Sequence, residues 1–296
     1  MSLTPATIMD GRKVSSERLL ALGLEVALLT SQFGRAPGLA VVLVGDHGPS
    51  EAYVGMKKKA CESIGIASFD YRLRADQVAA DLVSCLDALN ADPRVDGILL
   101  QLPLPNGFDE DKMLQRISPD KDVDGFHPMN VGKLLLGLET FVSCTPYGVC
   151  VLLEAYNIPV EGKHVVIVGR SNIVGKPLAA LLLQKQKIGN ATVTVCHSKS
   201  ENLADITQSA DILIAAMGVP RFIKADMVKP GAVVIDVGTS REVLPDGRKI
   251  LIGDVDYDAV APIASAITPV PGGVGPMTIA MLMSNTVTSF KRRMGA

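Results

Sequence analysis

The sequence predicts an α/β protein with two domains, each built on a parallel sheet. Short apolar runs rich in β-branched residues recur along the chain, and helical stretches separate them. Strands that are apolar throughout are typical of parallel sheets covered by helices on both faces. The length of 296 residues suits two domains of ordinary size.

The predicted elements fall into two groups along the chain. The strands are LAVVLVG (39–45) and DGILLQLPLP (96–105) in the first group, and KHVVIVG (163–169), ATVTVCH (191–197), DILIAAMG (211–218) and AVVIDVG (232–238) in the second. The helical stretches between them include 15–33, 76–90, 146–157 and 175–187. We therefore predict a first domain over 1–143, a second over 144–276 and a closing helix over 277–296.

Composition argues against several classes of protein. Lysine and arginine number 29 against 31 acidic residues, which argues against a nucleic-acid-binding protein that works by bulk charge. No apolar run reaches the roughly 18 residues of a membrane span, and no secretory signal is recognised. The five cysteines form no CxxC pair, so we expect reduced thiols and a cytoplasmic protein.

Within the second domain, which starts with a helix in CTPYGVCVLLEAY, a strand, a glycine turn and a helix follow one another in KHVVIVGRSNIVGKPLAALLL (163–183). In this context a helix N-terminus can hold phosphate with its backbone N–H groups. Five residues separate Gly169 from Gly175, so the turn is neither a GxGxxG fingerprint nor a P-loop. Taken alone, this turn leaves nucleotide binding and a plain structural turn equally open.

The next strand favours NADP over NAD. NAD-selective sites commonly place Asp or Glu at the end of this strand, whereas here His197, Ser198 and Lys199 follow it. With Arg170 they make a donor-rich, partly cationic group suited to a 2′-phosphate; an ordinary polar strand end is the alternative. The predicted cofactor contacts are Gly169, Arg170, Ser171, Ile173, Gly175, His197, Ser198 and Thr239.

Three consecutive lysines occur in EAYVGMKKKACESIG (51–65). If 50–64 is a helix, Lys57 projects about 40° from Tyr53, whereas Lys58 and Lys59 project to about 140° and 240°. Lys57 then lies in an apolar stripe, where burial lowers its pKa and suits it to proton transfer; a lysine whose stem only covers apolar surface is the alternative. The stripe contains Val54, Met56, Ala60, Cys61 and Ile64.

Other polar positions complete a candidate site. Ser50 precedes the lysine helix as an N-cap or a ligand contact. Gln101 ends a strand among leucines, so its amide needs a partner such as a lysine or a substrate. Asp124, before Gly125, is free to accept hydrogen bonds from a ligand. The stretch around it begins like a calcium loop, but Val131 stands where calcium requires glutamate, so no metal is predicted.

The segment TPVPGGVGPMT (268–278) is too rich in proline and glycine for a strand or a helix. It predicts a rigid loop that brings its backbone close to a ligand at Pro271, Gly272 and Gly273. A plain connector between domains is the alternative.

Together these motifs resemble the bifunctional methylenetetrahydrofolate dehydrogenase–cyclohydrolase family. The resemblance covers nearly the whole chain and rests on YVGMKKKAC, DGILLQLPLP, DKDVDGFHP, CTPYGV, GRSNIVGKP, CHSKS and ITPVPGGVGPMT. It implies a Rossmann-like second domain, a folate cleft between the domains, a closing helix packed on the first domain, and a homodimer. The chain departs from the family's pattern at HGPSEAYV (47–54) and VGTSRE (237–242).

The resemblance also implies residue roles and an activity. Lys57 matches the catalytic lysine, Tyr53 the tyrosine packed on folate, Gln101 the partner of the lysine, and Asp124 the aspartate that holds the pterin. The implied reactions are NADP⁺-dependent oxidation of 5,10-methylenetetrahydrofolate and hydrolysis of the product to 10-formyltetrahydrofolate. Substrate contacts are expected from Tyr53, Ser50, Gln101, Asp124, Pro271, Gly272 and Gly273; Arg170 and Ser198 match the contacts to the NADP 2′-phosphate.

Two other functions remain open from the residues alone. One is a different NADP-linked α/β dehydrogenase, of the shikimate type, which gives no reason for the lysine, tyrosine, glutamine and aspartate together. The other is a non-catalytic nucleotide-binding protein in which Lys57 is structural.

Overall fold

The structure is a computed structural model that describes residues 5–46 and 48–296. The chain divides into two compact units. One contains the residues up to Ser15 and Thr145–Thr278, and the other contains Ser16–Cys144 and Ile279–Ala296. Each unit has its own parallel sheet, so the predicted fold class of two α/β domains is confirmed. We call them the six-stranded unit and the three-stranded unit.

The six-stranded unit is built on a wholly parallel sheet. In spatial order its strands are β1 (Thr7–Ile8), β11 (Ala266–Ile267), β8 (Val233–Asp236), β7 (Ile212–Ala215), β5 (His164–Val168) and β6 (Thr192–Cys196). The sheet is accompanied by α6 (Cys144–Ala155), α7 (Gly175–Leu183), α8 (Leu203–Gln208), a short 3-10 helix (Ala225–Met227) and α9 (Tyr257–Val260). An antiparallel hairpin, β9 (Ser240–Val243) and β10 (Lys249–Ile252), follows β8.

The three-stranded unit has its longest buried strand in the centre. Its parallel sheet has the order β3 (Ala67–Leu73), β2 (Gly38–Val44) and β4 (Gly97–Leu100), and every residue of β2 is buried. The helices are α1 (Gly11–Phe33), α2 (Gly48–Ile64), α3 (Ala79–Ala91), α4 (Glu110–Arg116), α5 (Pro128–Leu135) and α10 (Val274–Met294). The first residues of α1 and of α10 belong to the six-stranded unit, and both helices continue in the three-stranded unit.

Several elements differ from the sequence-based prediction. The segment 268–278, predicted as a loop, is already helical from Val274, where α10 begins. The edge strand β3 was not predicted, because its sequence ASFDYRL mixes polar residues with apolar ones. The run predicted as a strand over 96–105 is a strand only at Gly97–Leu100, since the prolines that follow cannot donate to a ladder. The helix predicted over 175–187 ends at Leu183, where Gln184 turns to an extended conformation.

No helix in the described part of the chain is long and apolar enough to cross a membrane.

Candidate active site

The helix α2 presents one of its three lysines to the interior. Lys57 is half-buried, whereas Lys59 is exposed and Lys58, with half of its side chain exposed, pairs with Asp70 at 3.1 Å. One member of the predicted apolar stripe is wrong: Met56 is 44% exposed, because the buried face is centred closer to Lys57 than to Tyr53. The buried members are Val54, Ala60, Cys61 and Ile64.

The amine of Lys57 is held by Gln101. Lys57 Nζ donates to Gln101 Oε1 at 2.9 Å, and Gln101 Nε2 donates to the carbonyl oxygen of Leu102 at 2.7 Å. The backbone N–H of Gln101 still bonds to Val42, so the end of β4 fixes this side chain at the carboxyl edge of the sheet. The glutamine therefore aims a single acceptor at the amine.

A buried carboxyl acts on the same amine. The pKa of Lys57 lies below its ordinary value because burial disfavours the ammonium, and the charge of Asp124 opposes that effect. The pKa of Asp124 is raised by burial, and Lys57 opposes it in turn. Among the described residues no carboxylate lies within 4.0 Å of Lys57 Nζ. The two groups therefore influence each other without forming a direct ion pair.

The turn that carries Asp124 is organised by Asp122. This buried carboxylate accepts hydrogen bonds from Phe126 N at 3.2 Å, His127 N at 2.8 Å and Asn130 Nδ2 at 2.8 Å. Asp122 is thus the turn former, and Asp124 is left to face Lys57. The described residues contain no group of three or more His, Cys, Asp or Glu side chains placed to hold a metal ion.

Sequence reasoning missed two residues beside Asp124. Cys144 is buried with its thiol 3.4 Å from the carbonyl oxygen of Val123, and this side chain lowers the pKa of Asp124. Asn285, on α10, donates to the carbonyl oxygens of Val123 at 2.8 Å and Val142 at 2.9 Å. Cys144 lies inside the motif CTPYGV, which offered a signal; Asn285 is 162 positions from Val123, and no local pattern indicates it.

The remaining predicted folate contacts lie in different places. Ser50 is buried inside the first turn of α2 rather than at its N-cap, because the helix begins at Gly48. Tyr53 is half-buried on the same helix. In the six-stranded unit, Pro271 is exposed, and the carbonyl oxygen of Gly272 accepts the N–H groups that open α1. The first residue of the departing stretch HGPSEAYV, His47, lies outside the described residues.

A cavity of about 600 Å³ opens at the carboxyl ends of β5, β6 and β7 in the six-stranded unit. One part of its lining, the donor group, consists of Arg170, Ser171, His197, Ser198 and Ser200. The other part, the apolar wall, consists of Leu203, Met217, Val219 and Phe222. Of the predicted cofactor contacts, the lining includes Gly169, Arg170, Ser171, His197 and Ser198, and does not include Ile173, Gly175 or Thr239.

The cavity fits a dinucleotide that carries an additional phosphate. No Asp or Glu occurs among the described residues that line it, whereas a cationic guanidinium and several neutral donors do. Backbone also approaches closely here: a Cβ at Gly169 would lie 2.1 Å from the carbonyl oxygen of Ala216, so only glycine fits at this turn. The crevice outside the carboxyl ends of parallel strands is where such sheets bind nucleotides.

Two family models match the chain. The model described as the catalytic domain of tetrahydrofolate dehydrogenase/cyclohydrolase matches residues 9–124, and the model of its NAD(P)-binding domain matches residues 143–294. The chain belongs to the tetrahydrofolate dehydrogenase/cyclohydrolase family. The family predicted from the sequence is thereby confirmed, and with it an enzyme that uses a nicotinamide cofactor. Neither a shikimate-type dehydrogenase nor a non-catalytic protein is favoured.

Members of the tetrahydrofolate dehydrogenase/cyclohydrolase family resemble this chain over nearly its whole length. The bifunctional protein FolD of Maridesulfovibrio salexigens is 54% identical over 289 residues, which are 98% of this chain and 99% of the relative. The FolD crystal structure from Campylobacter jejuni is 48% identical with a TM-score of 0.91, covering 97% and 99% of the two chains. The Trypanosoma brucei enzyme, complexed with NADP cofactor and inhibitor, is 39% identical with a TM-score of 0.94, covering 99% and 100%.

Neighbouring lysines of this tetrahydrofolate dehydrogenase/cyclohydrolase are expected to titrate in opposite directions. Lys57 should titrate below the ordinary value of 10.5 because it is buried, and Lys58 above it because of its hydrogen bond to Asp70. Asp124→Asn should lower the pKa of Lys57 further, since the carboxylate charge favours the ammonium. NMR titration of the free protein with labelled lysines measures both pKa values. An unchanged or raised Lys57 pKa in Asp124→Asn contradicts the coupling, and Lys58 serves as the internal control.

Proposed function

We propose that the protein oxidises 5,10-methylenetetrahydrofolate to 5,10-methenyltetrahydrofolate with NADP⁺ and hydrolyses the product to 10-formyltetrahydrofolate. The observation that carries this proposal is the half-buried amine of Lys57, which is hydrogen-bonded to Gln101 and has a lowered pKa. That amine lies in the part of the chain matched by the family's catalytic domain. A proton-transfer group near neutral pH is what the hydrolytic step requires.

The donor group of the cavity would hold NADP. The guanidinium of Arg170 and the hydroxyl of Ser198 would bind the 2′-phosphate, with His197 beside them. Ser171 Oγ accepts the N–H of Val174 at 3.1 Å, which orders the turn leading into α7. We keep Ile173, Gly175 and Thr239 as proposed contacts from the same region. When bound, the cofactor supplies the acceptor for the hydride that the substrate's methylene carbon loses.

In the hydrolytic step, the chain's own residues move protons. As the water oxygen bonds to the methenyl carbon, the water loses a first proton, and its second proton is released to solvent when the formyl C=O forms. The bond between that carbon and a ring nitrogen breaks as the nitrogen gains the first proton. Neutral Lys57 would take and return this proton, since its lowered pKa increases the fraction of free amine. Gln101 would fix the position of Nζ, and a neutral amine also avoids repulsion with the cationic methenyl group.

Asp124 would hold the pterin. Its carboxylate can accept hydrogen bonds from the pterin's amino and ring N–H groups, a pairing strengthened by charge. Tyr53, on the same helix as Lys57, would pack on the folate ring. Ser50, Pro271, Gly272 and Gly273 remain proposed substrate contacts.

We also propose a cytoplasmic homodimer. All five cysteines are free, and four of them are buried, as in proteins of a reducing compartment. The homodimer follows from the family resemblance, and light scattering of the purified protein tests it. The domain limits 1–143, 144–276 and 277–296 stay a prediction.

One assay tests the proposed function directly. The purified protein is mixed with 5,10-methylenetetrahydrofolate and NADP⁺, then with NAD⁺, and absorbance follows both the reduced cofactor and the methenyl product. Turnover with NADP⁺ followed by decay of the methenyl absorbance supports the proposal. No turnover with this folate, together with turnover of a hydroxy acid, would support the other dehydrogenase class instead. Cofactor binding without any turnover would indicate the non-catalytic alternative.

Arg170→Gln is expected to weaken NADP use selectively. Loss of a charge-assisted hydrogen bond to the phosphate should raise KM for NADP⁺ about 10- to 100-fold, while KM for NAD⁺ changes little because NAD⁺ lacks that phosphate. Steady-state kinetics with both cofactors measures the change. Lys176→Gln is the matched control, since Lys176 pairs with Asn172 at 2.6 Å and lies outside the cavity lining. Equal losses for both cofactors would contradict the assignment of Arg170.

A further inference from the structure

A buried carboxylate supports the apolar wall of the cavity. Asp254 is fully buried, and its Oδ2 accepts hydrogen bonds from the backbone N–H groups of Met217 at 2.7 Å and Gly218 at 2.8 Å. Its other oxygen, Oδ1, has no donor among the described residues. The side-chain hydrogen bonds of Asp254 therefore all go to the loop that begins at Met217.

Residues 253–254 also hold the far end of that loop. The carbonyl oxygen of Gly253 accepts the N–H of Arg221 at 2.9 Å, and the carbonyl oxygen of Asp254 accepts the N–H of Ile223 at 3.0 Å. Residues 217–223 are thus fixed at both ends by 253–254. Any shift of this short segment moves the loop with it.

A second buried aspartate fixes the segment in turn. Asp236, at the end of β8, accepts the N–H of Asp254 at Oδ1 and that of Val255 at Oδ2, each at 2.9 Å. The carboxylate of Asp236 lies against Gly253, and the carboxylate of Asp254 lies against Gly238. A Cβ at Gly253 would lie 1.9 Å from Asp236 Oδ2, and one at Gly238 would lie 2.3 Å from Asp254 Oδ1. We call these two aspartates and two glycines the aspartate clasp.

The loop held by the clasp presents apolar side chains to the cavity. Val219 and Phe222 are 46% and 41% exposed although both are apolar, and both line the cavity. The donor group, which is suited to a 2′-phosphate, lines the same cavity. In NADP the 2′-phosphate and the adenine are attached to the same ribose. A phosphate bound by the donor group therefore brings the adenine into the same cavity. An adenine packed on Phe222 would cover the exposed apolar surface.

We propose that Asp254 is a positioning residue for the adenosine half of NADP. It holds loop 217–223 so that the apolar wall receives the adenine while the donor group binds the 2′-phosphate. Asp254 acts only through the loop and touches no reacting atom. This inference rests on the proposed use of NADP.

Binding of adenosine 2′,5′-bisphosphate tests this role apart from catalysis. In Asp254→Asn, a neutral amide oxygen replaces the carboxylate as acceptor, and an N–H₂ group takes the place of Oδ1, which accepts no hydrogen bond from the described residues. Calorimetry should show Kd for the bisphosphate raised about 5-fold or more, since charge-assisted bonds are roughly twice as strong as neutral ones. KM for NADP⁺ should rise in parallel, with kcat and the KM for folate unchanged. The asparagine is nearly isosteric, and a thermal melt checks that the variant folds.

A double variant shows whether Asp254 acts through the wall. Phe222→Ala should raise Kd for the bisphosphate about 10-fold because the stacking contact is lost. In the double variant Asp254→Asn/Phe222→Ala, Kd should rise by less than the product of the two single increases. Asp256→Asn is the matched control, because the largest contact of Asp256 is its pair with Lys224 at 2.8 Å, and neither residue lines the cavity, so this variant should bind as the wild type does. The inference is overturned if Asp254→Asn binds the bisphosphate as the wild type does. It is also overturned if the increase in Kd of the double variant equals the product of the two single increases. A wild-type protein that binds no bisphosphate overturns NADP use itself.

Discussion

Lys57→Met is expected to abolish cyclohydrolase activity, with a loss of about 10²–10⁴-fold, the range that a positioned proton-transfer group contributes. Methionine retains an unbranched apolar stem, so the packing of α2 is preserved while the amine is removed. NADP binding should be nearly intact, because the cavity that fits the dinucleotide lies in the six-stranded unit and Lys57 in the three-stranded unit. Decay of methenyltetrahydrofolate absorbance measures the hydrolysis, and calorimetry with NADP⁺ measures the binding.

The adjacent lysine provides the control for this experiment. Lys58→Met removes an amine of the same chemistry from the next position, but Lys58 is half-exposed and pairs with Asp70. Its loss should change cyclohydrolase activity little, since surface ion pairs contribute weakly and no part of the candidate site is touched. Equal loss in the two variants would falsify the assignment of Lys57, because overall charge rather than one buried amine would then be at work.

The contrast between these lysines could be predicted from the sequence because helical periodicity is local. A run of apolar residues at helical spacing defines one face, and the angular position of Lys57 follows from counting. Met56 shows the limit of counting: the apolar residues define the face only to within tens of degrees, and the burial of its margins depends on what packs there. Ser50 shows a second limit, since helix starts shift by a residue or two without changing the pattern.

The neighbours of Lys57 across the fold were less predictable. Gln101 was recognised because a lone amide at the end of an apolar strand needs a partner. Cys144 and Asn285 reach Asp124 and its turn only through tertiary packing, and neither has a local signal comparable to a lysine on an apolar face. The same holds for Asp254, whose two loop contacts lie 36 and 37 positions away.

The parallel strands were predicted more accurately than the edge strand for a physical reason. Central strands such as β2 and β5 are buried on both faces, so their sequences are continuous apolar runs. The edge strand β3 carries Ser68, Asp70 and Arg72 among apolar residues, which is also what an exposed loop would show. Similarly, Arg170, His197 and Ser198 were predicted because they follow strand ends, although Lys199 does not line the cavity and Ser200 does. The apolar wall depends on the position of loop 217–223, which no local pattern indicates.

A buried carboxylate at the opposite end of β4 from Gln101 anchors this strand. Asp96 is fully buried and accepts both terminal nitrogens of Arg35 at 2.7 and 2.9 Å, the N–H of Gly38 at 2.8 Å, and Arg293 Nη1 at 2.9 Å. It therefore links β4 to β2, to the end of α1 and to the end of α10. The hydrogen bonds to Asp96, together with its charge, raise the pKa of Arg35, so the pairing favours the charged guanidinium.

Asp96→Asn is expected to destabilise the three-stranded unit by about 3 kcal/mol, the lower end of the range for breaking a buried ion pair, because the two guanidinium groups keep some contact with solvent. The asparagine removes the charge that both arginines share and turns an N–H₂ group toward donors. Urea unfolding followed by circular dichroism measures the loss, and hydrogen exchange of the β2 and β4 amides locates it.

Asp87→Asn is the control for Asp96→Asn, since it breaks an exposed pair with Arg116 and should leave the unfolding midpoint almost unchanged. If the two variants unfold at the same urea concentration, Asp96 is not the anchor of β4. If Asp96→Asn unfolds earlier and also slows the hydrolytic step, the position of Gln101 depends on both ends of its strand, because the strand that presents the glutamine to Lys57 is the one that Asp96 ties to the helices.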